Sequence, residues 1–206
     1  MTHGKKLIEV ALPLEAINDA SGREKANPFI KEHPRKLHLW WARRPLVTCR
    51  AVVFASLVDD PNDPEAPPQF VAACRELPRG TNAAQDDTPR QRLFEFIETL
   101  VKWNSTKDDQ VLQKARELID LSTDGGPPPL LDPFAGGGSI PLEAQRLGLE
   151  TQASDLNPVA VTINKTLLEI PSHFADAPPV NPRDREKMGG KVGWRGAAGL
   201  AADLRY

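Results

Sequence analysis

Apolar positions in the first 121 residues recur at helical spacing. Leu7, Ile8, Val10, Ala11, Leu14 and Ile17 keep close to a 3.6-residue period from Lys6 to Ala20, and Pro13 is expected to break or kink that helix. Ser21 to Lys25 is polar and reads as a loop. Val47, Ala51, Phe54, Ala55 and Val58 then share one face of a helix that Pro45 can open and that ends near Asp59-Asp60-Pro61. Pro61 to Arg90 reads as irregular, with one short helix around Phe70 to Arg75. Leu93, Phe96, Ile97, Leu100 and Val101 give Pro89 to Trp103 a strong amphipathic pattern. Asn104-Ser105-Thr106 breaks it, and Val111, Leu112, Ala115, Leu118 and Ile119 mark a further helix from Asp108 to Leu121.

The pattern changes at Pro129. Leu130 to Asp132 reads as a buried strand, followed by a glycine turn and a helix from Ser139 to Leu147. Gly148 stands where a left-handed C-cap is wanted. Thr151 to Ser154 reads as a second strand, and Pro158 to Glu169 as a helix capped by Asn157. This βαβα order predicts a parallel sheet with helices packed on it, an α/β class. Prolines gather at 61–68, 127–129 and 171–182 and mark connections. Four parts follow: a helical region with an aromatic-basic segment over 1–60, a helical insertion over 61–126, the βαβα unit over 127–170, and a tail over 171–206. Gly189, Gly190, Gly193, Gly196 and Gly199 give that tail little means to pack by itself.

Composition narrows this picture. A chain of 206 residues with 40% hydrophobic content suits one domain with an extension. The net charge of −2 is uninformative, but residues 31–50 hold six cations (Lys31, Arg35, Lys36, Arg43, Arg44, Arg50) against Glu32. Such a cluster can meet phosphate, or form a solvated basic face. Cys49 and Cys74 have no CxxC partner, which argues against zinc and for reduced thiols in a cytoplasmic protein. The apolar run after the N-terminal lysines is interrupted by Glu9 and Pro13, so neither a signal peptide nor a membrane span is expected.

The glycine turn carries the sharpest chemistry. Gly136, Gly137 and Gly138 let the backbone approach a ligand closely, and Asp155 lies 19 positions after Gly136. An acid about 20 residues on is where βαβ nucleotide folds bind a ribose. The helix start behind the turn favours an anionic group. A dinucleotide fingerprint would need a glycine where Pro141 stands, and a P-loop would need a lysine after Gly138; neither fits. The bland reading is a tight turn that uses glycine for packing alone.

Asp132-Pro133-Phe134-Ala135-Gly136-Gly137-Gly138-Ser139 resembles the D-P-F-x-G-x-G-[ST] motif of amino-group methyltransferases that use S-adenosylmethionine. Asp155-Leu156-Asn157-Pro158 is similar to their D-x-N-P segment. Residues 34–46, Cys49-Arg50-Ala51 and Phe54 to Leu57 resemble a DNA methylase family that carries domain of unknown function 1156, described as adenine-specific. The resemblance implies a partial Rossmann-like methyltransferase fold with a helical N-terminal region. It implies S-adenosylmethionine as cofactor, held along the turn from Asp132 to Gly138, with Asp155 on the ribose hydroxyls, Leu156 near the adenine and Asn157 beside them. It also sets Trp40, Trp41, Arg43 and Arg44 against cofactor or DNA, with a role in restriction-modification or phage defence. Read from the residues alone, these tryptophans are expected to be core or to bury against the missing part, and His38 to be structural.

Transfer to an exocyclic amine requires a [DNS]-P-P-[YFW] motif in these enzymes, and none occurs: Pro67-Pro68, Pro127-Pro128-Pro129 and Pro178-Pro179 all have the wrong flanks. No catalytic residue is therefore assigned. The chain is expected to be the N-terminal part of a larger methylase whose missing C-terminal part, or a partner subunit, completes the sheet. Two alternatives stay open: part of an RNA guanine-N2 methyltransferase, and a non-catalytic remnant.

Overall fold

The computed structural model describes residues 4–30, 33–79, 87–123, 126–183 and 196–203. Helices α1 (Leu7–Val10), α2 (Leu14–Ala26), α3 (Leu46–Leu57), α4 (Pro68–Arg75), α5 (Pro89–Leu100) and α6 (Asp109–Ser122) precede strand β1 (Leu130–Asp132). Helix α7 (Ser139–Arg146), strand β2 (Thr151–Ala153) and helix α8 (Pro158–Asn164) follow. The chain is thus helix-rich with a small sheet. β1 and β2 pair in parallel with Leu130 opposite Thr151 and Asp132 opposite Ala153, and α7 is the crossover that parallel pairing demands. Among the described residues no further strand joins, and Leu131 stays exposed. No helix among them is long and apolar enough to cross a membrane.

Helix α3 is the hub, packing against α1, α2, α5, α6 and α7. The five residues read as one face, Val47, Ala51, Phe54, Ala55 and Val58, are all buried. One hydrophobic cluster runs from Leu7 through α3 to α6 and on to Ala144, Leu147 and Leu149, so the helical region and the βαβ unit share a core. Cys49 and Cys74 are buried free thiols, and burial pushes both up to about 12, which keeps them protonated.

The segment Ser21 to Lys25 is helical, not a loop: α2 runs unbroken to Ala26. Two of its polar residues, Ser21 and Glu24, point at α3, while Arg23 and Lys25 stay exposed. Ser21 Oγ bonds Thr48 Oγ1, and the buried Glu24 carboxylate accepts the N–H groups of Leu46 (2.9 Å) and Val47 (3.1 Å), capping α3 from a distance. Glu24 Oε1 also meets His33 Nε2 at 3.0 Å. His33 Nδ1 accepts the Arg35 N–H at 3.1 Å, which leaves the ring proton on Nε2 for Glu24, and the ring stacks on Trp103. Burial alone would push the Glu24 carboxyl up, but His33 and the two N–H groups outweigh it and hold it below its ordinary 4.5. A depressed native value stabilises the fold above the ordinary pKa, and the contribution is lost as pH falls through the native one. Acidification from pH 4.5 downward should therefore cost the wild type more stability than Glu24→Gln, read as unfolding midpoints across that range; parallel profiles would contradict the cap.

Two more expectations change. The helix from Pro158 passes beyond Glu169 and through Pro171: a π-helical turn (Lys165–Glu169) follows α8 and leads into α9 (Ile170–His173). The wide turn alters the bonding pattern just where the proline lacks its N–H. The tail also packs on itself. Helix α10 (Ala198–Asp203) lies against residues 176–181, with the Asp203 carboxylate accepting the N–H groups of Val180 and Asn181, both at 2.9 Å. Gly199 makes this contact possible, because an added Cβ would lie 2.0 Å from Ala177 O. Gly189, Gly190 and Gly193 lie outside the described residues.

Candidate functional site

The turn between β1 and α7 is built from local bonds. Asp132 Oδ1 accepts the Phe134 N–H at 3.1 Å, folding the chain back after the strand. Ser154 N–H donates to Asp132 O (2.9 Å) and Ala135 N–H to Ser154 O (3.0 Å), which carries the strand pairing into the loops. Gly136 and Gly138 take left-handed conformations, with φ of 51° and 72°, and α7 starts at once at Ser139. On the second strand, Asn157 Oδ1 accepts the Val159 N–H at 2.9 Å and caps α8, with Pro158 in its first turn.

Asp155 joins the two halves. Oδ2 accepts the Gly136 N–H at 2.8 Å and Oδ1 the Asn157 N–H at 2.8 Å. The N–H groups of Asn157, Gly136 and Leu156 hold the carboxyl below the usual carboxylate range, so it is an anion at neutral pH. Its surroundings are open: Phe134 is 81% and Leu156 97% exposed, and Pro133 is exposed as well. A cavity of about 470 Å³ adjoins it along the outer side of β2, lined by Thr151, Ser154, Asp155, Asn164 and Lys165 among others.

The aromatic-basic segment divides by side. Trp40 and Arg43 turn inward onto the glycines, while Trp41 (90% exposed) and Arg44 face out. A Cβ on Gly136 would lie 2.9 Å from Trp40 Nε1; one on Gly137 would lie 2.9 Å from Arg43 Nε and 3.1 Å from Trp40 Cβ. Arg43 Nη2 donates to Gly137 O at 3.3 Å. The glycines are thus required by close packing of this strap, and packing accounts for part of the pattern. His38 is exposed. The local charge is also smaller than its count, because Arg50 is no surface cation: its guanidinium is fully buried against Glu143 of α7. Lys31 and Glu32 lie outside the described residues.

Asn164 escaped the sequence reading. At the end of α8, its Nδ2 donates to Gly136 O (2.9 Å) and Ala160 O (2.8 Å). Its Oδ1 is buried without a partner, 2.7 Å from where a Gly138 Cβ would stand. A buried amide at a helix end gives no periodic signal; the π-helical turn beside it is a geometry often found at functional sites, visible only in three dimensions.

The residues fit a nucleoside carrying a charged tail. An anionic acid sits at the turn, exposed apolar side chains flank it, and Arg43 Nε and Nη1 and Ser139 Oγ are buried without partners. Among the described residues no group of His, Cys, Asp or Glu is placed to hold a metal ion. No curated protein and no solved structure matches the chain. Residues 11–95, which include the strap and α3, match the family described as "Protein of unknown function (DUF1156)".

Proposed function

We propose that this chain is the cofactor-binding part of an S-adenosylmethionine-dependent DNA amino-methyltransferase acting on adenine N6, with a partial Rossmann-like arrangement around β1, α7 and β2. The observation that carries the reading is the 2.8 Å bond from the Gly136 N–H to Asp155 Oδ2. It joins the two halves of the motif across 19 positions.

When bound, the cofactor would supply an electrophilic methyl group. The chain's own residues would bind and orient it. Asp155 keeps lone pairs free on both oxygens and would accept from the ribose hydroxyls. Phe134 and Leu156 would lie against the base, and the turn from Asp132 through Pro133 and Ala135 to Gly138 would run along the sugar and methionyl portion. Trp41 and Arg44, facing out beside the turn, suit DNA: an aromatic face for a base and a cation for phosphate. Further polypeptide, in the same protein or a partner subunit, would cover exposed Leu131, extend the sheet and bring the transfer motif; the target base must be flipped to reach it.

Calorimetric titration with S-adenosylmethionine tests this, on the chain and on its full-length assembly. Asp155→Ala should weaken binding by about 10- to 100-fold, the loss expected for hydrogen bonds to a charged group. Absence of binding by the wild-type assembly would remove the proposal.

A further inference from the structure

One half-buried charge near the turn lacks a counterpart. Arg43 Nε and Nη1 are shut off from solvent and bonded to nothing, and Nη2 makes only the long contact to Gly137 O. Among the described residues no carboxylate stands within ion-pair distance of Arg43. The acid that acts on it most strongly through space is Glu24, whose oxygens are engaged by His33, Leu46 and Val47. Shutting two guanidinium nitrogens off from water without a partner is costly unless an anion meets them. Ser139 Oγ, at the first position of α7, is also buried and unpartnered. Two unsatisfied donors thus flank the same short turn, one at Gly137 and one two residues on.

We infer that Arg43, with Ser139 and the glycine turn, forms a subsite for a carboxylate, the amino-acid end of the methyl donor. This rests on the proposed function and names which residue reads the tail. The local charge favours a monoanion over phosphate: Asp155 is bonded to the turn and Asp132 opens it. A planar carboxylate also matches the guanidinium fork. Binding would exchange a long bond to a neutral carbonyl for a charge-assisted pair.

Two ligands that share the nucleoside and sulfur separate the tail from the rest. S-adenosylhomocysteine has the carboxylate; 5′-deoxy-5′-methylthioadenosine does not. Wild type should bind the first about 10- to 100-fold more tightly. Arg43→Gln should lose most of that preference while keeping its affinity for the second ligand, and Arg43→Lys, a point charge without the fork, should fall between. Without ligand, Arg43→Gln should unfold at the same or a higher temperature than wild type, since an unpaired, partly desolvated charge is gone. If Arg43→Gln weakens both ligands equally, or lowers the unfolding temperature, the residue only packs the strap and the inference is overturned. Wild type binding both ligands alike overturns it too, while sparing the proposed function. Wild type binding neither overturns both.

Discussion

Glu143→Ala should destabilise the chain by about 3–5 kcal/mol, the usual consequence of removing one partner from a buried ion pair. Glu143 Oε2 accepts from Arg50 Nε at 2.6 Å, and both side chains are 0% exposed. Arg50 Nη1 donates further to Leu100 O at 2.8 Å, while Nη2 has no partner, and Arg146 pairs with the other Glu143 oxygen. Removing the carboxylate leaves a wholly buried guanidinium facing apolar neighbours. Urea unfolding followed by tryptophan fluorescence measures the loss. The double substitution Arg50→Met with Glu143→Leu should recover most of it, because a buried pair offsets much of its own attraction by desolvation. An unchanged midpoint for Glu143→Ala would show that water reaches Arg50. The position matters because the pair joins α3 of the family-matched region to α7, the helix that opens at the glycine turn.

Gly138→Ala should have the largest effect on the turn itself. At φ 72° an alanine costs about 1–2 kcal/mol in backbone conformation. Its Cβ would also lie 2.7 Å from Asn164 Oδ1. Asn164 has little freedom to retreat, since its Nδ2 is held by Gly136 O and Ala160 O. The turn must move, carrying the Gly136 N–H away from Asp155. Affinity for S-adenosylhomocysteine should fall by about tenfold or more, equivalent to roughly 1.4 kcal/mol. Gly137→Ala isolates the packing component, because Gly137 is not left-handed and the nearest neighbours of its Cβ would be Arg43 and Trp40. It should lift the strap and change tryptophan emission. Wild-type affinity in Gly138→Ala would mean that the ligand does not use the turn.

Much of the fold is written in local chemistry. Gly148 adopts φ 88° after α7, Asn157 caps α8 through its own side chain, and Asp108 caps α6 by accepting the Gln110 and Val111 N–H groups. Each depends on residues within a few positions, so residue type alone indicates it. The same holds for α3, whose apolar face was legible from its spacing. The misread segments share a different cause. Ser21 and Glu24 look like loop residues until Thr48 and the start of α3 receive them. Arg50 looks like surface charge until Glu143, 93 positions later, is brought to it.

The strand–turn–helix–strand unit and the acid that belongs with it can be read along the chain, because glycine conformation and capping act over short distances. Which tryptophan and which arginine face the turn, the support from Asn164, and the buried ion pair to the helical region emerge in three dimensions alone. Those features depend on partners 28 to 97 positions apart, and such contacts leave no periodic mark along the chain.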